Sequence, residues 1–498
     1  MQPLLASPER LYVRLFWCWL IGRTALWTLV SWLTLSNPPM DTVEMLSWGQ
    51  HWLWCYHKHP PMPAWIAEAA AAVSGGSIGA VYLASHLLVA ICMWSAWKLG
   101  RDMLSPRLAF FAALCLEPLD YYNHMANDIG HGVALSASSA LLVVCCHGAL
   151  ARGGWHRWVA LGVAAGAAFL SKYSAVFLFI PMLLFVVVHP RCRSIWKRPG
   201  PYVAIGVATL VVLPHLICCV REDFGPVRFA LKRSYERDSS VLNHLWFPIS
   251  FVGSQSWRLA FVLLALAPLV WPWRRRSLPE GDRFNRDFLL AMAVGPVVLH
   301  VLVAGVLGVE VREMWGHHLW TFLGLTVLFF CRVDESPRRL AQAGAVALLG
   351  GGGFLALFVG TNLYGPTFGR AVQTHFPGRA VAAAVAREWS ASHPEPLTIV
   401  AADNLFLGCS ASWYLEGRPA TFMLDGRNET PWVTDDDLTR RGGVILWYAH
   451  SDDNRVPEVF RIRFPNAQPR PLILVTPNRG PDLPPRRFGI AIVPPATQ

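Results

Sequence analysis

The chain has 498 residues, 54% of them hydrophobic and only 15% charged, with a formal net charge of +11. Soluble domains run at about 25% charged residues, so this chain has too few polar side chains to cover itself in water. That excludes an ordinary soluble protein and makes lipid the solvent for the excess; the basic surplus needs no nucleic acid, because it can sit in cytoplasmic loops and fix a topology.

In chain order, apolar segments long enough to cross a bilayer lie near 11–35, 79–99, 129–150, 201–220, 287–309 and 339–360. Shorter ones lie near 107–119, 156–170, 174–189, 256–273 and 317–331. Counted together they predict a polytopic α-helical membrane protein of about eleven spans, each helical because a helix satisfies its own backbone in lipid. The first run lacks a small-residue cleavage site and reads as a retained helix. The 23 tryptophans suit rings at headgroup level. The 11 cysteines are irregularly spaced, and most lie in apolar runs as small hydrophobes. They form no metal or disulfide framework, though a Cys55–Cys409 bridge stays open.

The basic residues orient these spans. With the N-terminus in the cytoplasm, the inner loops hold Arg101 and Arg107, Arg152 and Arg157, Arg191 to Arg198, Arg274-Arg275-Arg276, and Arg332 to Arg339. The outer loops hold only Lys58, Lys172 and Arg312, as the positive-inside rule requires. The segment 221–238 departs from the rule. It is either self-neutralised by its own acids or a cap over an anionic ligand. After residue 361 the apolar runs stop. The chain therefore divides into a membrane domain, 1–360, and a small α/β domain, 361–498, on the outer side. Helices are expected near 380–391 and 404–415, and strands near 397–402, 443–448 and 487–493. There is no internal repeat.

The outer loops carry the candidate chemistry. In the first, near 41–60, apolar residues at 45, 48, 52 and 53 predict an amphipathic helix along the membrane surface. Asp41 and Glu44 have the spacing of a capping box, which is compatible with facing a cavity. Lys58-His59-Pro60-Pro61 holds a cation near the surface, where it either snorkels or meets a lipid phosphate. The second loop offers Glu117, Asp120 and Asp128 without a cation, and Asp128 is placed to cap the next span. Lys172 sits in a tight outer turn, as a carbonyl cap or a second phosphate ligand. Arg312 either forks onto phosphate or pairs with Glu310 or Glu313. His57, His59, His317 and His318 match no metal-ligand spacing.

The order of these elements resembles the glycosyltransferase C superfamily, and within it the dolichyl-phosphate-mannose–protein mannosyltransferases and the bacterial aminoarabinose transferases. The resemblance rests on Asp41-Thr42-Val43-Glu44 and Lys58-His59-Pro60-Pro61, on Asp128, on Lys172-Tyr173, and on Ala402-Asp403-Asn404 and Ala491-Ile492-Val493-Pro494-Pro495 in the tail. One departure is that two residues separate Asp41 from Glu44, where the family often has adjacent acids. The resemblance implies transfer of a sugar from a polyprenyl-phosphate donor to a lipid, glycan or protein acceptor outside the cytoplasm, with inversion. It implies a plasma-membrane enzyme with Asp41, Glu44 and Asp128 in the catalytic set. Lys58, His59, Lys172 and Arg312 would hold the donor phosphate. No cofactor is required by it, and a divalent metal is left open. The competing readings are a transporter or flippase of a lipid-linked sugar, which predicts inverted repeats, and a non-enzymatic assembly protein.

Overall fold

The structure is a computed structural model that describes residues 8–234, 240–277, 282–424, 429–449, 455–475 and 485–496. The helices of the first 364 residues are α1 (Pro8–Thr34), α2 (Met40–Gly49), α3 (Met62–Val73), α4 (Ile78–Met103), α5 (Pro106–Leu114), α6 (His131–Arg152), α7 (Trp155–Ser171) and α8 (Val176–Val188). They continue with α9 (Pro190–Arg193), α10 (Gly200–Arg221), α11 (Gly225–Ser234), α12 (Asn243–Val270), α13 (Arg283–Leu289), α14 (Gly295–Leu307), α15 (Leu323–Phe330) and α16 (Pro337–Tyr364).

Among the described residues seven helices are long and apolar enough to cross a membrane, or up to eight if the bent pair Tyr173–Val188 and Pro190–Lys197 counts as one span. Four of the eleven expected runs form the shorter helices α5, α7, α8 and α15, of 9, 17, 13 and 8 residues. At 1.5 Å per residue, the nine residues of α5 and the eight of α15 fall far short of a hydrocarbon core about 30 Å thick. The outward side chains of α10, among them Ile205, Leu210, Leu213 and Val220, are exposed, as lipid solvation allows. Small residues bring the inner faces together: a Cβ on Gly162 would lie 2.6 Å from the Ala204 carbonyl oxygen, and one on Gly166 would meet Val211. In the segment 221–238, Arg228 pairs with Asp223 at 2.6 Å, which fits self-neutralisation. Glu236, Arg237 and Asp238 lie outside the described residues.

The contacts gather the chain into two units. One takes Met1–Leu29, Leu83–Asn127 and His131–Ala356. The other takes Val30–Tyr82, Asp128–Gly130 and Leu357–Gln498. The second unit thus contains the first outer loop and three residues of the second as well as the tail.

The tail supplies α17 (Gly378–Ser390), α18 (Leu405–Tyr414), α19 (Asp435–Arg441) and α20 (Glu458–Arg463). Its strands are β1 (Ile399–Ala402), β2 (Ala420–Met423), β3 (Gly443–Tyr448), β4 (Gln468–Pro469), β5 (Ile473–Val475) and β6 (Arg486–Val493). They form one sheet in the order β2-β1-β3-β6-β4, with β5 also on β6. β1 is parallel to β2 and β3, with Val400 opposite Val444; β3 and β6 are antiparallel, with Leu446 opposite Ile490. β1 and most of β3 are continuously buried and accordingly apolar. All five expected tail elements are present. α19, α20, β2, β4 and β5 are additions to that expectation.

The helix expected along the membrane surface is found as α2, but it is not amphipathic. Every residue from Thr42 to Gly49 is buried. The reason is that α2 is packed from two sides. Gly49 lets it meet α3, where an added Cβ would lie 2.5 Å from the Ala64 oxygen. Val43 enters the same core as Phe376, Phe406, Leu407 and Phe488 of the tail. Asn37, just before α2, donates to Ser410 Oγ at 3.2 Å.

Candidate active site

The acids of α2 are placed by where the helix starts. Pro39 is its N-cap, without a side-chain cap, so Asp41 and Glu44 lie inside the helix and the expected capping box is absent. The fixed φ of proline suits the entry to a helix, and it moves the start ahead of Asp41. The cap comes instead from Asp128. Its Oδ1 accepts from the Thr42 backbone N–H at 2.7 Å and from Thr42 Oγ1 at 2.8 Å, and its Oδ2 accepts from the Asp41 N–H at 3.2 Å. Asp128 thus caps α2 rather than the following span. Thr42 Oγ1 accepts in turn from the Ile129 N–H at 3.2 Å. Gly130 completes the approach, because a Cβ there would lie 2.8 Å from Asp41 Oδ2.

Two carboxylates therefore share the start of α2. Asp41 is exposed and Asp128 half-buried. Burial, and then the charge of Asp41, hold the Asp128 carboxyl well above the ordinary carboxylate range. One helical turn on, buried Glu44 forms an ion pair with Lys58 at 2.5 Å. Burial pushes Glu44 up to about 7 against the pull of Lys58. The Lys58 ammonium also lies 5.4 Å from the Trp48 ring centroid. Trp48 is stacked on Tyr56, whose hydroxyl donates to the Trp48 carbonyl at 2.9 Å. The Tyr56 N–H donates to the His59 carbonyl at 3.3 Å, so His59 contributes its backbone to the turn that holds Lys58. Burial and the Lys58 charge keep His57 at about 3 and hence neutral. Arg418 braces the far end of α2, with a fork onto Glu68 at 3.0 and 2.9 Å and a bond to the Leu46 carbonyl at 2.9 Å.

The other expected residues belong to the first unit. Lys172 is half-buried at the C-cap of α7, and its charge acts on His300, His317 and His318. Arg312 is the N-cap of the short turn Glu313–Gly316. Glu313 faces Arg258 at 3.5 Å. The remaining acids of the second loop also have cations. Glu117 pairs with Arg23 at 3.2 Å. Asp120 receives Arg258 through Nε at 2.8 Å and Nη2 at 2.9 Å. Arg258 lies over Tyr121, with its Cζ 4.4 Å from the ring centroid. Of the three competing acids, Asp128 alone shares a unit with Asp41.

Sequence reasoning did not single out Thr42, Gly130, Glu68, Arg258 or Arg418. Arg258, an arginine within an apolar run, was the one with a visible signal. Cys409 is a free buried thiol, so the Cys55–Cys409 bridge is not formed. Among the described residues no group of three or more His, Cys, Asp or Glu side chains is placed to hold a metal ion.

Comparison with known proteins bears on this arrangement. Residues 58–218 match the family model of dolichyl-phosphate-mannose-protein mannosyltransferases. The chain is 26% identical over 319 residues to the lipopolysaccharide core galacturonosyltransferase RgtA of Rhizobium johnstonii, covering 61% of each chain. It is 25% identical over 260 residues to the lipid A galacturonosyltransferase RgtD of the same organism, covering 50% of this chain and 53% of that one. The match thus spans between half and three fifths of these relatives. The fold is similar to that of ArnT from Cupriavidus metallidurans bound to undecaprenyl phosphate. The TM-score is 0.60 at 14% identity, covering 96% of this chain and 99% of that one. Apo ArnT matches with a TM-score of 0.54 at 15% identity, over the same shares of the two chains.

Proposed function

We propose that the chain is a member of the dolichyl-phosphate-mannose–protein mannosyltransferase family, in an ArnT-like branch, and a membrane glycosyltransferase acting on a polyprenyl-phosphate sugar; the family-model match over residues 58–218, the galacturonosyltransferase relatives and the ArnT-like fold support this. The acceptor is a lipid, glycan or protein on the outer side of the plasma membrane. The relatives that act on lipopolysaccharide core and lipid A favour a lipid-linked glycan. The N-terminus is cytoplasmic, residues 1–360 form the transferase domain, and 361–498 form the periplasmic domain.

In this reading Asp41 takes the proton from the acceptor hydroxyl or amine as it attacks the anomeric carbon. The bond from that carbon to the phosphate oxygen breaks on the opposite face, which inverts the centre and releases polyprenyl phosphate. Lys58 balances the charge that grows on the phosphate; Lys172 and Arg312, in the other unit, have this role only as what the resemblance implies. Glu44 and the His59 backbone position Lys58, and Asp128 fixes the first turn of α2 behind Asp41. The observation that carries the reading is that one carboxylate, Asp128, ties down the backbone of an exposed acid, while the same helix holds a lysine one turn away.

The test is incorporation of labelled sugar from a polyprenyl-phosphate donor in proteoliposomes. Asp41→Asn should lower turnover by roughly 10²- to 10⁴-fold, and Lys58→Ala should raise the donor KM. If the Asn variant works at the wild-type rate, Asp41 is not the base. If the wild type moves labelled donor across the bilayer without transfer, the protein is a flippase. A divalent metal in this step is tested by chelation: loss of transfer that is restored by adding the metal back would assign one to it.

A further inference from the structure

The second unit contains a cavity of about 330 Å³ whose lining residues have no role in the proposed transfer step. It lies at the carboxyl ends of the parallel strands β1 and β3, the edge at which open α/β sheets bind ligands. Its walls are Asn404, Leu405 and Phe406 at the start of α18, Tyr448 at the end of β3, and Arg486 at the start of β6. Gln373 and Met40 complete it. Met40 directly precedes Asp41, so the cavity borders the helix that presents the proposed base.

The lining is chemically mixed. Arg486 brings a half-buried guanidinium, a group suited to forked bonds with carboxylate or phosphate. Asn404 Oδ1 accepts from the Leu407 N–H at 3.2 Å. The amides of Leu405 and Phe406, in the same turn, have no carbonyl within the helix to bond, and the positive end of the helix favours an anion. The charges of Arg486 and Asp403 both act on Tyr448. Arg486 and the Tyr448 phenol thus share the cavity with the apolar side chains of Phe406 and Met40. A sugar with one acidic group and several hydroxyls uses the whole set: acid on Arg486 and the helix start, hydroxyls on Asn404, Gln373 and Tyr448, ring on the apolar wall. The volume is at the small end of ligand cavities, roughly 300–1,000 Å³, which admits one sugar unit and no lipid.

We propose that this cavity is a subsite for an acidic sugar unit of a substrate, with Arg486 reading its carboxylate or phosphate. The proposal rests on the glycosyltransferase reading, and the acidic unit belongs either to the acceptor glycan or to the transferred sugar. The test uses the full chain in proteoliposomes, with acidic and neutral versions of each substrate. Arg486→Ala should lower kcat/KM on the acidic substrate by roughly ten- to a hundredfold, mainly through KM, and leave the neutral one nearly unchanged. A loss that follows the acceptor assigns the cavity to acceptor recognition; a loss that follows the donor assigns it to the transferred sugar. Arg486→Lys, which retains the charge without the fork, should fall between the two and serves as a folding control. Unchanged selectivity in Arg486→Ala, together with a dead Asp41→Asn, overturns the subsite and leaves the transferase reading standing. A second arm is independent of turnover: binding of free galacturonate to the detergent-solubilised chain, followed by tryptophan fluorescence. It should be saturable and at least about tenfold weaker in Arg486→Ala, and equal or absent binding in both overturns the subsite whether or not transfer is seen.

Discussion

At the scale of single residues, Glu44 carries the most specific consequence. It is buried beside Lys58 and titrates at about 7. Above that pH it is charged and cancels part of the lysine charge; below it, it is neutral and leaves the ammonium uncompensated. A sugar phosphodiester donor does not itself titrate in this range. The donor KM is therefore expected to fall as pH drops through about 7 in the wild type, and Glu44→Gln is expected to hold the low-pH value throughout. Steady-state kinetics between pH 6 and 8.5 check this, and parallel pH profiles for the two proteins would uncouple Glu44 from the donor. The sequence exposed Asp41, Glu44, Lys58 and Asp128 as an unusual set but could not assign their partners. Spacing suggested that Asp41 and Glu44 cap their own helix. Asp128, remote in sequence, does the capping, and Glu44 is engaged by Lys58.

At the scale of elements, α2 shows how the site is held. Its first turn is fixed by Asp128, its body by the tail core, and its last turn by Arg418 and the close approach to α3 at Gly49. A methyl at position 49 meets a backbone oxygen and Glu68 Cβ, neither of which can swing aside. Gly49→Ala is expected to destabilise the protein by about 1–3 kcal/mol and to lower the thermal midpoint in detergent. An unchanged midpoint would mean that α2 and α3 are not held at this distance. The burial of α2 was hidden from the sequence because its apolar spacing is equally that of a helix on a membrane surface. The tail elements α17, α18, β1, β3 and β6 were legible because each has its own hydrophobic period and punctuation. Among the described residues fewer helices than the eleven apolar runs are long enough to cross on their own, because runs such as those of α5 and α15 mark burial as readily as lipid.

At the scale of the whole molecule, the basic loops and the proposed chemistry make one topological demand. A phosphatase reporter fused after residue 498 should be active on the outer side of the membrane, and one fused after Arg276 should be inactive. A cytoplasmic tail would put the acids on the wrong side for a periplasmic acceptor. The sequence by itself determined the membrane solvent, the helical character of the spans and the α/β character of the tail, and its basic loops supply the orientation that the reporters test. These depend on composition and local periodicity, which survive in one dimension. Only the tertiary structure decided that Asp128 rather than Glu117 or Asp120 stands beside Asp41, that the first outer loop shares its core with the tail, and that Arg486 and Asn404 line one cavity. Each of these joins residues tens to hundreds of positions apart, and a pairing of that kind is set by packing, with no local pattern to announce it.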